Sequence, residues 1–309
     1  MIAWVTGARG FIGRHLALHL RAQGDSVYGI GHGHLPVEAW GHAGLARWVN
    51  SQLSPEALDQ LAAGDGLPDR VFHLAGGSAV GASLGAPLED FKRTTVTTAT
   101  LLEWLRTRAP HARLVVASSA AVYGDTRGAA AQESATPAPV SPYGYHKLMM
   151  EQLCREYSRI FGLNTVVVRL FSVYGEGLRK QLLWDCAGKL MGPGERIELG
   201  GTGEELRDWV HVDDAARILS SVAPLASDSS PIFNGGSGHG IAVRELVRQL
   251  AQALGQPKRI EFSGVSRAGD PTVLVADPTR LQALGQRCTV DLTVGARRYA
   301  DWFKLEWVS

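Results

Sequence analysis

Short unbroken apolar runs alternate with stretches whose apolar residues recur one helical turn apart, and this alternation fills the first half of the chain. Residues 2–6 are long enough for a buried strand, and 15–21 follow as a helix with Leu16 and Leu20 four apart. Gly24-Asp25 turns the chain into a strand at 27–30, which Gly31-His32-Gly33-His34 ends. A helix is predicted over 53–63, with Ser54 as N-cap and Pro55 at the first helical position. Strands follow at 70–74 and 113–117, with helices at 87–107, through Leu88, Phe91, Leu101, Leu102 and Leu105, and at 143–161. The run at 164–170, with Val166, Val167 and Val168, reads as a strand covered on both faces. This order predicts α/β architecture, a doubly wound parallel sheet of the Rossmann type.

After about Phe171 the texture changes. Glycine loops crowd 188–203 and 234–240, and helices shorten to about 214–223, 243–254 and 295–303. No serine- or proline-rich linker separates the halves. The expected organisation is a dinucleotide-binding domain over 1–170, joined again by about 205–223, and a smaller α/β substrate-binding lobe over 171–309. The 309 residues are 45% hydrophobic and 20% charged with a formal net charge of +1, so no bulk field favours nucleic acid or membrane. Cys154, Cys186 and Cys288 lie far apart and suit a reducing compartment. The first strand begins at once, without a basic leader, and no apolar run approaches membrane-spanning length. A cytoplasmic protein is expected.

The candidate chemistry begins with Gly7, Gly10 and Gly13, between the first strand and the first helix. Gly7 permits a tight turn, Gly10 lets a pyrophosphate approach the backbone, and Gly13 lets the helix pack close. The helix N-terminus then offers N–H groups and partial positive charge to the phosphates. The spacing is GxxGxxG, a less specific signal than GxGxxG. Tyr143 and Lys147, four apart, share one helix face, and Ser118-Ser119 follow a strand. A nearby ammonium is expected to lower the phenol pKa, so that Tyr143 can exchange a proton with a substrate hydroxyl.

The motifs occur in order: Thr-Gly-Ala-Arg-Gly-Phe-Ile-Gly at 6–13, Val-Phe-His-Leu-Ala-Gly at 71–76, Ser-Ser-Ala-Ala-Val-Tyr-Gly at 118–124 and Ser-Pro-Tyr-Gly-Tyr-His-Lys at 141–147. Arg-Leu-Phe-Ser-Val-Tyr-Gly at 169–175, Arg-Asp-Trp-Val-His-Val-Asp-Asp at 207–214, Asn-Gly-Gly-Ser-Gly at 234–238 and Arg-Ala-Gly-Asp at 267–270 continue the series. Together they resemble the extended short-chain dehydrogenase/reductase family, in its sugar-nucleotide epimerase/dehydratase branch. The resemblance implies Ser119, Tyr143 and Lys147 as the catalytic set, with Lys147 also on the nicotinamide ribose. It implies NAD or NADP held by Gly7, Gly10, Phe11, Ile12, Gly13 and His32, and by Leu74, Ala75 and Gly76. For a nucleotide-diphospho-sugar it implies Ser78, Ser118, Ser172 and Arg179, with Arg207 and Arg267 forking the diphosphate and Asp270 on the ribose or on Arg267. Asp213 and Asp214 open a helix, where capping is their expected work. The helices at 88–107 and 143–161 resemble the family's dimer-forming pair.

Several positions depart from the family pattern. The carboxylate that usually meets the cofactor's 2′-hydroxyl is replaced by Gly31, and no arginine is found there to bind a 2′-phosphate, so NAD and NADP both stay open. His32 and His34 lack a third ligand at metal spacing. Ala120 and Ala121 stand where dehydratases carry an Asp-Glu pair, which disfavours water elimination. Thr94 and Ser172 replace asparagines, and Leu274 holds the position that gates the sugar's C2 substituent. The expected activity is hydride transfer at C4 in an epimerase; the alternatives are a 4-keto-sugar reductase and a non-catalytic NAD(P)-binding sensor.

Overall fold

The computed structural model describes residues 1–64, 66–265 and 271–308. In chain order the first nine strands are β1 Ile2–Thr6, β2 Ser26–Gly31, β3 Arg47–Asn50, β4 Arg70–His73, β5 Arg113–Ser119, β6 Asn164–Leu170, β7 Ser172–Tyr174, β8 Arg196–Leu199 and β9 Leu206–His211, and the late strand β10 is Ile232–Gly235. Seven of them form one parallel sheet in the order β10-β6-β5-β4-β1-β2-β3. Its central strands are apolar on both faces, as a parallel sheet covered by helices requires: Trp4, Val71, Phe72, Val115 and Val166 are fully buried. The strand order places β1 between β2 and β4, with Thr6 opposite Ile30 and His73.

Periodicity predicts β1, β2, β4, β5 and β6, but β3, β10 and the helices Val80–Gly85 and Gln181–Met191 are among the elements it misses. β3 has only four residues, of which Trp48 and Val49 are buried. The helix Val80–Gly85 is short and rich in small residues, with only Ser83 buried, so it carries no apolar period. The helix predicted over 87–107 is interrupted: α-helix at Pro87–Phe91, a π-turn at Lys92–Val96, then α-helix at Thr97–Arg108. Such single π-turns inside α-helices are frequent at functional sites.

The chain divides into two compact units. The first comprises Met1–Gly124, Ala135–Leu170 and Ala215–Gly235; the second comprises Asp125–Ser134, Phe171–Asp214 and Gly236–Ser309. In the second, β9 is the hub. It pairs with β7, with β11 Gly240–Ala242 and with β13 Val273–Leu274, while β12 Arg259–Phe262 pairs with β8. The helices Gln181–Met191, Val243–Leu254 and Leu292–Val308 enclose Leu183, Leu190, Leu246, Leu250, Tyr299 and Phe303, all buried.

Candidate active site

The glycine turn closes because it has no side chains in three places. Gly7 adopts φ +70°, a left-handed conformation, and its N–H donates to the Ile30 carbonyl at 2.8 Å. Gly10 donates to the Gly7 carbonyl at 2.8 Å, and a Cβ on Gly10 would lie 3.0 Å from that oxygen. A Cβ on Gly13 would overlap the same oxygen, so Gly13 seats the helix on the turn. The helix Phe11–Ala22 starts from Gly10 with no side-chain cap and no acid in its first turn. Phe11 and Ile12, half-buried, begin it. An uncapped, acid-free helix start under a turn with no Cβ suits a pyrophosphate, so these residues fit a dinucleotide.

At the end of β2 the structure corrects one expectation. Gly31 supplies no carboxylate, and a Cβ there would lie 3.6 Å from Gly7 Cα. An arginine is nevertheless present: Arg9, inside the glycine turn, donates from Nη1 to the His34 carbonyl at 2.7 Å, and its guanidinium lies over Gly33. A search around position 31 misses it because Arg9 lies 25 residues from His34. His32 and His34 are exposed on the same loop.

The loop after β4 is held from beneath. His73 is fully buried between two threonines. Thr98 Oγ1 donates to the Thr94 carbonyl at 2.6 Å, so it accepts from His73 Nε2 at 3.0 Å. His73 Nδ1 then accepts from Thr6 Oγ1 at 2.8 Å, and Thr6 Oγ1 in turn accepts from the N–H groups of Leu74 and Ala75 at 3.2 and 3.1 Å. Burial, reinforced by the Lys147 charge, lowers the His73 pKa to about 3 and keeps the ring neutral. Gly77 donates to Thr94 Oγ1 at 2.9 Å from the π-turn. Leu74, Ala75 and Gly76 are half-exposed above this scaffold, and Ser78 is exposed just beyond. Sequence inspection does not single out Thr6, His73 or Thr98; their signal is three polar residues in a buried environment.

Ser119 ends β5, and Tyr143 and Lys147 lie one turn apart on the helix Pro142–Phe161, which Ser141 caps by accepting from Gly144 N–H. Lys147 Nζ donates to the Ala117 carbonyl at 2.9 Å and lies 5.9 Å from the Tyr143 ring centre. Burial pulls its pKa down to about 8, against the charges of Asp90 and Glu151. The Tyr143 pKa is raised rather than lowered: burial pushes it up, the Asp90 charge adds to that, and the hydrogen bond with Ser119 only partly opposes it. The expected lowering by Lys147 is therefore absent from the protein alone. Ser118 turns inward; its hydroxyl, 3% exposed as a residue, donates to Glu151 Oε1 at 2.5 Å. Glu151 also accepts from Arg169 Nε at 3.0 Å and Nη2 at 2.7 Å.

In the second unit Ser172 opens β7 opposite Trp209, and Arg207 lies half-buried on β9 beside Leu274 of β13. Arg207 Nη1 donates to the Leu206 carbonyl at 3.0 Å. Its neighbour Asp208, fully buried, accepts from Ser237 N–H and Oγ, Gly238 N–H and Ala276 N–H. Asp213 pairs with Arg298, and Asp214 accepts from Thr289 and Val290, so these first-turn acids tie distant segments to their helix. Arg179 pairs with Glu306 and lies 5.9 Å from the Trp302 ring centre. Arg267 and Asp270 lie outside the described residues.

A glycine turn on a parallel sheet, with serine, tyrosine and lysine gathered at the end of β5, defines a dinucleotide-dependent enzyme of the short-chain dehydrogenase/reductase type. A profile of the NAD dependent epimerase/dehydratase family matches residues 3–236, and the chain belongs to that family. It is 31% identical over 296 residues to a UDP-glucose 4-epimerase of Azospirillum brasilense, covering 90% of this chain and 84% of that one. It superposes on MoeE5, solved in complex with UDP-glucuronic acid and NAD, with TM-score 0.86, 30% identity and coverage of 99% and 100%. The Thermus thermophilus UDP-glucose 4-epimerase in complex with NAD gives TM-score 0.86, 29% identity and coverage of 98% and 99%.

Proposed function

We propose that the protein is an NAD-dependent epimerase that inverts C4 of a nucleotide-diphospho-sugar, with UDP-sugars as the substrate class. The observation that carries the reading is the joint placement of Ser119, Tyr143 and Lys147 beside a loop lined by Leu74, Ala75 and Gly76. Bound NAD would accept hydride from the sugar carbon and return it to the opposite face. Tyr143 takes the proton of the C4 hydroxyl and gives it back, and Ser119, already bonded to the phenol, holds the same oxygen. Lys147, fixed on the Ala117 carbonyl, keeps positive charge on the helix face that carries the phenol. Ala120 and Ala121 offer no acid or base for elimination. Arg207, Ser172 and Arg267 are assigned to the sugar diphosphate, and Asp270 to the nucleotide ribose or to orienting Arg267. Two of the named relatives are UDP-glucose 4-epimerases, which weighs against the 4-keto-sugar reductase, and a sensor has no use for a proton-transfer set.

A homodimer and a cytoplasmic setting belong to the same reading. Leu84, Leu88, Val96, Met149 and Ile160 are exposed on the helices at 80–108 and 142–161, and a second copy is the occupant we assign to that apolar face. Among the described residues no helix is long and apolar enough to cross a membrane.

The test is incubation of the purified protein, without added cofactor, with UDP-glucose and separately with UDP-glucuronic acid. Interconversion of C4 epimers with no net change in reduced-nicotinamide absorbance is expected. Turnover that starts only with a 4-keto sugar, with NADPH consumed one for one, overturns the reading. Tyr143→Phe keeps the ring and removes the proton carrier; turnover is expected to fall at least ~100-fold with the melting temperature nearly unchanged.

A further inference from the structure

Asp90 and His146 form a buried pair that the proposed reaction does not use. Their side chains are 8% and 11% exposed, and Asp90 Oδ2 lies 2.6 Å from His146 Nδ1. His146 is the residue before Lys147, and the Phe91 ring packs on its imidazole at 5.5 Å between ring centres. The other carboxylate oxygen, Asp90 Oδ1, lies against Gly77, where a Cβ would overlap it. A Cβ on the preceding Gly76 would lie 3.6 Å from Lys147 Nζ. The Gly76–Gly77 backbone therefore runs past both the carboxylate and the ammonium.

The charges facing Lys147 are few. Asp90 faces it from the helix Pro87–Phe91, Glu151 from one turn along its own helix, Tyr143 from one turn back, and the neutral His73 from β4. Arg169 on β6 already binds Glu151 through two nitrogens, so that negative charge is matched. Asp90 bonds to an imidazole, and among the described residues no lysine or arginine lies within ion-pair distance of it. We propose that Asp90 is the counter-charge that keeps Lys147 an ammonium, and that His146 is a positioning residue that aims the Asp90 carboxylate. The proposal rests on the reading of Tyr143 and Lys147 as the proton-transfer set.

The direction of the effect follows from charge. Burial lowers the Lys147 pKa to about 8 and raises that of Tyr143, while Asp90 raises both. Removing the negative charge makes both groups lose their protons at lower pH. Asp90→Asn keeps the shape and an acceptor for His146. Two measurements on the full chain separate the proposal from the reading beneath it. The first follows Lys147 by NMR of a protein carrying 13Cε-labelled lysine, the resonance being assigned from Lys147→Met. Asp90→Asn is expected to move its titration midpoint to lower pH; an unmoved midpoint overturns the proposal whatever the enzyme does. The second is the pH profile of epimerisation. Both limbs should shift toward acid, so that turnover of the variant relative to wild type is several-fold higher at pH 6.5 than at pH 8.5, the pattern of a shift of about one unit. An equal loss at every pH marks a merely structural residue and overturns the proposal. If the midpoint moves but Tyr143→Phe retains turnover, the reading fails instead. His146→Asn, which can place an amide N–H near Nδ1, should keep the wild-type midpoint; His146→Leu should move it as Asp90→Asn does, and serves if that variant does not fold.

Discussion

Each of the two units is pinned locally by a buried carboxylate, and the two carboxylates are neutralised by different means. Glu151, under the strand that carries Ser119, faces a guanidinium at two points and a serine hydroxyl at a third. Asp208, beside Arg207 on β9, has no ion pair of that kind among the described residues; three backbone N–H groups and the Ser237 hydroxyl converge on it. The first arrangement fixes side chains across a strand and a helix with matched charge. The second fixes backbone, pinning 237–238 and 276 to one strand. An ion pair fails when one partner is removed, because the other is left charged and buried. A carboxylate held by amides degrades by single hydrogen bonds.

Three substitutions sharpen that contrast, from largest effect to smallest. Arg169→Met leaves Glu151 without its cation and is expected to cost about 3–5 kcal/mol in denaturant unfolding, whereas Arg169→Met with Glu151→Met should recover most of it. A double variant as unstable as the single would show that the pair contributes more than charge matching. Asp208→Asn turns one acceptor into a donor that faces N–H groups, and a loss of about 1–3 kcal/mol is expected. Hydrogen exchange should accelerate at Ser237, Gly238 and Ala276; unchanged protection there would break the comparison. The smallest effect concerns an exposed cation. Arg9→Met should weaken NADP(H) binding by about tenfold, ~1.4 kcal/mol, and leave NAD(H) nearly unchanged by calorimetry. Equal loss for both would assign Arg9 to holding the His34 loop alone.

Residues near one another in the chain were legible in advance. The strand–glycine turn–helix at 2–22, the helix spacing of Tyr143 and Lys147 and the valine run of β6 follow from local periods, because each is set by repeats of two or 3.6 residues. Ordered motifs then named the family, since several weak signals in one order are jointly specific. What folding alone decided is which side chains meet across long separations. Arg9 reaches His34, Thr6 reaches His73, and Asp90 reaches His146, at separations of 25, 67 and 56 residues. The π-turn that brings Thr94 to Gly77 has no local sequence period of its own. Burial likewise reversed the expected direction of the Tyr143 pKa, because desolvation is a property of the packed surroundings and cannot be seen in a four-residue spacing. Local sequence determined the strongly periodic elements and the identity of the reactive groups; tertiary packing decided the short irregular elements, the partners of the reactive groups and their charge.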